Sequence, residues 1–214
     1  MRISDNYHKF YEEARIWEKN TWLGESCWKL PMDAFVIAEL IFKLEPDFVI
    51  ETGTGKGGSA LFYASIMELM GHGEVITCDI TRKHDLDNHP LRKITERISF
   101  FEGDSVSEWT LGQIKELVGG TKENIVILDS WHGCNHVLKE MGAYEAFVGN
   151  NYYMIVEDTH AGNPGHPVKW NHDDGGSYEA VKFFLENNDD FVVDHDCEKH
   201  IMTFNQSGYL RRIK

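Results

Sequence analysis

Five short runs rich in β-branched and aromatic residues, at 48–51, 74–79, 98–102, 125–129 and 152–157, are separated by amphipathic segments of helical length. Few folds tolerate that alternation. Strands joined through a helix run parallel, because the crossover returns the chain to the same end of the sheet, and the helices then cover the sheet's faces. Helices are expected over 7–19, 33–44, 59–70, 91–97, 107–118, 135–148 and 177–187, with Ser59 and Ser177 as N-caps. Two further runs, 191–195 and 201–204, flank "CEKH" and suggest a closing antiparallel pair. The expected fold is α/β: a Rossmann-like, seven-stranded, mostly parallel sheet with helices on both faces and an antiparallel C-terminal strand.

A chain of 214 residues with 42% hydrophobic and 12% aromatic content can bury one large core. The expected division is an N-terminal helical segment and lid over 1–30 and a single catalytic domain over 31–214. A net charge of −14, with no basic run longer than Arg211-Arg212, excludes nucleic acid and anionic membrane as partners. No apolar run approaches the roughly 20 residues of a spanning helix, and the N-terminus lacks the apolar core of a secretory signal, so the expected location is cytoplasmic. Cys27, Cys78, Cys134 and Cys197 are widely spaced, which reads as reduced thiols in that compartment.

Ligands of such a sheet bind beyond the carboxyl ends of its strands. The predicted ends carry Glu51, Asp79, Glu102 to Ser105, Asp129 and Glu157-Asp158. Each acid alone is as readily a helix cap; five in register are harder to explain that way. The first lies in "ETGTGKGGSALF". A phosphate loop would need its lysine followed directly by Ser or Thr, whereas Lys56 precedes Gly57-Gly58. Gly53, Gly55 and Gly58 satisfy G-x-G-x-x-G, and Asp79 is spaced to take ribose hydroxyls. Glu51, however, would repel a pyrophosphate and attract a ligand with a cationic end. S-adenosylmethionine (SAM) has one, with Glu51 near its ammonium and sulfonium, Gly53, Gly55 and Ser59 along it, Asp79 on the ribose, and Asp104-Ser105 near the adenine. Asp129 with Glu157 and Asp158 would supply oxygen ligands for Mg²⁺. Zinc would require more imidazole or thiolate.

The segments "WLGESCWKLPMDAF", "ETGTGKGGSA", "EVITCDI", "EGDS", "LDSWHGCNHVLKEM", "YMIVEDTH" and "GYLRR" together resemble the cephalosporin hydroxylase and rhamnosyl O-methyltransferase family of class I SAM-dependent methyltransferases, from about Thr21 to the C-terminus. "LDSWH" is also similar to the "LDHWK" segment of catechol O-methyltransferases. The resemblance implies Asp129 as a metal ligand completed by Glu157 and Asp158, Trp131 against the adenine and His132 as the base. It also implies Mg-dependent O-methylation of a small-molecule hydroxyl, on a sugar or secondary metabolite, and a possible homo-oligomer. A metal-acidified hydroxyl would lose its proton to neutral imidazole and take the methyl group in line. The segment from Trp22 to Pro31 would cover the cofactor, and Trp17, Trp22 and Trp28 would either line the acceptor pocket or pack. The loop from Thr159 to Gly176 would be a substrate lid, or a second metal site built on His160, His166, His172 and Asp173-Asp174. Two alternatives stand beside this reading: a component of a hydroxylase (oxygenase) system, and a SAM-fold binding protein without catalysis.

Overall fold

Successive residues of the central strands pack on opposite sides of one sheet, as a period of two requires. In the computed structural model, which describes residues 3–214 apart from 167 and 169–171, a short hairpin of β1 (Thr21–Trp22) and β2 (Glu25–Ser26) precedes the main sheet. The sheet comprises β3 (Phe48–Thr52), β4 (Glu74–Asp79), β5 (Ile98–Glu102), β6 (Asn124–Leu128), β7 (Tyr153–Val156), β8 (Phe191–Val193) and β9 (Tyr209–Arg212). The helices are α1 (Ile3–Glu13), α2 (Pro31–Leu44), α3 (Gly58–Met70), α4 (Arg92–Thr95), α5 (Glu108–Val118), α6 (Cys134–Tyr144) and α7 (Ser177–Asn187). Ile50, Ile76, Val126 and Met154 pack with Ile114, Met141 and Phe184 of α5, α6 and α7. Their neighbours Val49, Val75, Ile125 and Ile155 pack with Ile37, Ile41, Tyr63 and Met67 of α2 and α3. Helices therefore cover both faces.

The strand order is β5-β4-β3-β6-β7-β9-β8. All pairs from β5 to β7 are parallel, and β9 lies antiparallel between β7 and β8. The chain leaves β3 toward β4 on one side and returns to β6 on the other. Their carboxyl ends diverge there and open the crevice in which such sheets bind ligands.

Two local expectations are corrected. Residues 201–204 form no strand; the closing strand is the "YLRR" of β9. The buried carboxylate of Asp33 takes up the polar groups of that stretch, accepting from the Thr203 hydroxyl at 2.5 Å, the Phe204 amide at 2.8 Å and the Tyr209 hydroxyl at 2.9 Å. An amide satisfied by a side chain is not available to a ladder. Ser59 and Ser177 are not caps either: Gly57 and Gly176 occupy those positions, and Ser107 is the serine whose hydroxyl accepts a first-turn amide, from Thr110. Among the described residues, no helix is long and apolar enough to cross a membrane.

Candidate active site

A cavity of about 520 Å³ opens at the β3/β6 crevice. Glycine builds one wall. At Gly53, φ is +86° and a Cβ would stand 1.9 Å from the Asp129 carbonyl oxygen, so only glycine lets β3 and β6 approach this closely. At Gly55, φ is +52° and a Cβ would meet nothing within 4 Å, which leaves the loop open to a ligand. The Gly55 amide donates to Asp79 Oδ2 at 2.9 Å. Asp79, Gly103, Asp104, Ser105 and Trp131 continue the same wall. Trp131 is 63% exposed, so its ring is free to stack on a planar group.

Glu51 and Ser59, expected along the cofactor, are not among the residues that line this cavity. Glu51 is wholly buried behind the glycine loop. Its Oε2 accepts from the Thr77 hydroxyl at 2.7 Å, and that hydroxyl lies 2.6 Å from Thr54 Oγ1. Since Thr77 has one proton to give, Thr54 donates to Thr77 and Thr77 to Glu51. The acid thus braces the loop from beneath. Burial pushes its pKa up to about 7, against the pull of Lys29, Ser59 and Thr77. Ser59 faces Glu51 because the left-handed cap at Gly57 starts α3 two residues early and places the serine inside its first turn.

Asp129, His132 and Asp158, which line the same cavity and follow the carboxyl ends of β6 and β7, converge, each offering a ligand atom within 4.8 Å of the others. His132 Nε2 lies 3.3 Å from Asp158 Oδ2 and 3.9 Å from Asp129 Oδ1. Burial holds its pKa below the usual value although Asp129 and Glu140 oppose this, so its imidazole is neutral near pH 7. Asp158 adopts a left-handed φ of +57°, unusual for a residue with a Cβ, and its amide is held by Asn205 Oδ1 at 3.1 Å. Glu157 stands apart from this trio. It is 5% exposed and paired at 2.8 Å with the ammonium of Lys29, which also meets Asp129 Oδ2 at 2.6 Å.

Lys29 is the site residue that the motifs did not single out. Only 3% exposed, it sits between two carboxylates; burial opposes its charge, but Asp129 and Glu157 hold its pKa well above the ordinary lysine value. Burial raises Glu157 to about 8 even with Lys29 beside it, and burial together with Asp129 and Glu157 pushes Asp158 well up. The cluster is short of positive charge. Oxygen donors, one neutral imidazole and an excess of negative charge fit a hard divalent cation.

Elsewhere in the site, His136 lines the cavity, within 3.4 Å of Ser105 Oγ, and a hydrogen bond with Glu140 raises its pKa. Glu12, Trp17 and Trp28 line the cavity from the N-terminal segment, whereas Trp22 packs on Phe62 and donates to Ser65. The loop of residues 159–176 falls partly outside the described residues, at 167 and 169–171. Its histidines separate: His160 and His166 pack against His8, while His172 meets Trp131 edge-on and Asp174 accepts from the Asn135 amide at 2.9 Å. The described residues therefore gather no second metal site of the expected composition.

This arrangement has relatives. The family model described as Rhamnosyl O-methyltransferase/CmcI matches residues 14–213. The rhamnosyl O-methyltransferase of Mycobacterium leprae is 36% identical over 214 residues, covering 98% of this chain and 90% of its own. That of Mycobacterium bovis BCG is 35% identical over 201 residues, covering 92% of this chain and 78% of its own. A structure of CmcI with Mg and SAM superposes with a TM-score of 0.68 at 20% identity, over 92% of this chain and 78% of the other, and shares the fold. The chain belongs to the rhamnosyl O-methyltransferase/CmcI family.

Proposed function

We propose that this protein is a divalent-metal-dependent O-methyltransferase that moves the methyl group of SAM to a hydroxyl of a small sugar-like acceptor. The observation that carries this reading is the convergence of Asp129, His132 and Asp158 in a cavity that Gly53, Gly55, Asp79 and Asp104 also line. Asp79 offers a carboxylate to ribose hydroxyls, Trp131 offers a face to adenine, and the bare backbone at Gly55 admits the chain between them. Asp129 and Asp158 hold the metal, with Glu157 adjoining them. Mg²⁺ bound there would lower the pKa of a coordinated hydroxyl. His132 accepts the hydroxyl proton at Nε2, because its neutral imidazole faces the carboxylates and needs no prior deprotonation. The relatives named for methylation of a rhamnosyl group support a sugar hydroxyl as the acceptor.

Residues 1–30 act as a lid over the acceptor end, since Glu12, Trp17 and Trp28 reach the cavity from there. The oxygenase alternative draws no support from the donors, because even with His132 counted among them they are two carboxylates and one imidazole, not the two-histidine, one-carboxylate set of non-haem iron oxygenases. The test is transfer of a labelled methyl group from SAM to rhamnosides with and without EDTA. Label incorporation that EDTA abolishes and Mg²⁺ restores is expected; incorporation indifferent to EDTA would refute the metal's part.

A further inference from the structure

A buried lysine among the carboxylates of a metal site requires a reason, since its ammonium competes with the cation the site is built to hold. Lys29 is not a surface chain folded over for want of a partner: it is 3% exposed and meets Asp129 at 2.6 Å and Glu157 at 2.8 Å. Its backbone is fixed as well. The Asn20 side chain donates to the Lys29 carbonyl at 2.8 Å and to the Tyr11 hydroxyl at 3.1 Å, and Pro31 begins α2 two residues on. The N-terminal segment thus delivers one positive charge to the centre of the site by a rigid route.

Charge matching explains it. Cation binding displaces the protons that burial favours on Glu157 and Asp158, so the ion would meet three carboxylates, Asp129, Glu157 and Asp158, with three negative charges among them. With the lysine the cluster carries two, which one divalent ion cancels. Without it the cluster carries three, which suits a trivalent ion better and leaves a divalent complex with an uncompensated buried charge.

Resting on the metal-site reading above, we infer that Lys29 is a positioning residue that sets the valence of the ion: it neutralises one carboxylate, orients Asp129 and Glu157, and tunes the site to divalent rather than trivalent cations. Lys29 touches neither cofactor nor acceptor space, since it does not line the cavity.

The test is a calorimetric titration of the metal-free protein with Mn²⁺ and with Tb³⁺, reading the ratio of their affinities. Lys29→Met should raise the Tb³⁺/Mn²⁺ ratio at least about tenfold, because a unit charge a few ångströms away acts more strongly on the trivalent ion. Glu157→Gln, which removes one negative charge and keeps the lysine, should lower it. The double variant Lys29→Met/Glu157→Gln restores two negative charges and should return the ratio to within about threefold of wild type, as matched removal of both partners predicts. Should Lys29→Met fail to fold, the Glu157→Gln and double variants decide the matter by the same ratio. Wild-type binding of Mn²⁺ with a ratio that none of the variants moves would overturn the inference and leave the metal site standing. No binding of either ion by wild type would overturn both.

Discussion

At the carboxyl ends of β4 and β5, carboxylates meet backbone amides; at those of β6 and β7 they meet a buried ammonium. Asp79 accepts from the Gly55 amide of the neighbouring β3 loop and from the Thr81 amide, and Asp104 from the Val106 amide, so each is settled by nearby backbone. Asp129, Glu157 and Asp158 instead share one lysine and one histidine: the Lys29 ammonium meets Asp129 and Glu157, and Asp158 faces His132. The difference teaches that one crevice can set a preformed wall beside a cluster of carboxylates that share one ammonium. The first is made by backbone geometry, the second by charge.

Substitutions that separate the two ends should have separable effects. His132→Ala is expected to lower kcat by roughly 10²–10⁴-fold, the usual worth of a general base, while affinity for S-adenosylhomocysteine and for Mg²⁺ stays near wild type. Steady-state kinetics with parallel calorimetry checks this, and a matching loss of Mg²⁺ affinity would make His132 a ligand instead of the base.

Glu51→Gln addresses the support beneath the cofactor end. Burial raises the folded pKa of Glu51 to about 7 and that of Asp33 to about 6, above their unfolded values. At these two groups the native state retains protons that the unfolded chain has released, so their contribution to stability falls as pH rises from about 4 toward 7 and levels off above it. Replacing Glu51 with glutamine should remove up to about 3 kcal/mol of that decline, read as a flatter Tm profile across the same window. An unchanged profile would mean that Glu51 is ionised throughout.

Asp79→Asn should have the smallest effect: a loss of roughly tenfold in S-adenosylhomocysteine affinity, with metal binding unchanged. A simultaneous fall in metal affinity would show that the two ends are coupled.

The cavity wall of glycines and acids was legible in the sequence because its signals are local: glycines at fixed offsets, and an acid at the end of each β-branched run. The strand count and the helix faces were legible for the same reason, periodicity being a short-range property. Glu51 was read with the right charge and the wrong surroundings, since nothing in "IETGTG" tells whether a strand-end acid turns outward or down onto Thr77. Residues 201–204 alternate like a strand, but Asp33, 170 residues away, takes the Thr203 hydroxyl. Lys29 escaped notice because a lone lysine between Trp28 and Leu30 reads as a surface charge. Its partners lie 100 residues and more along the chain, and only the sheet topology brings them together.

The central claim, that Asp129 and Asp158 form an incomplete pocket for a divalent ion, is tested most directly by calorimetric titration of the chelator-treated protein with Mg²⁺ in the presence of S-adenosylhomocysteine. One ion per chain is predicted for wild type, with binding lost in Asp129→Asn while S-adenosylhomocysteine still binds. Saturable Mg²⁺ binding that Asp129→Asn leaves intact, or none in wild type, would contradict it.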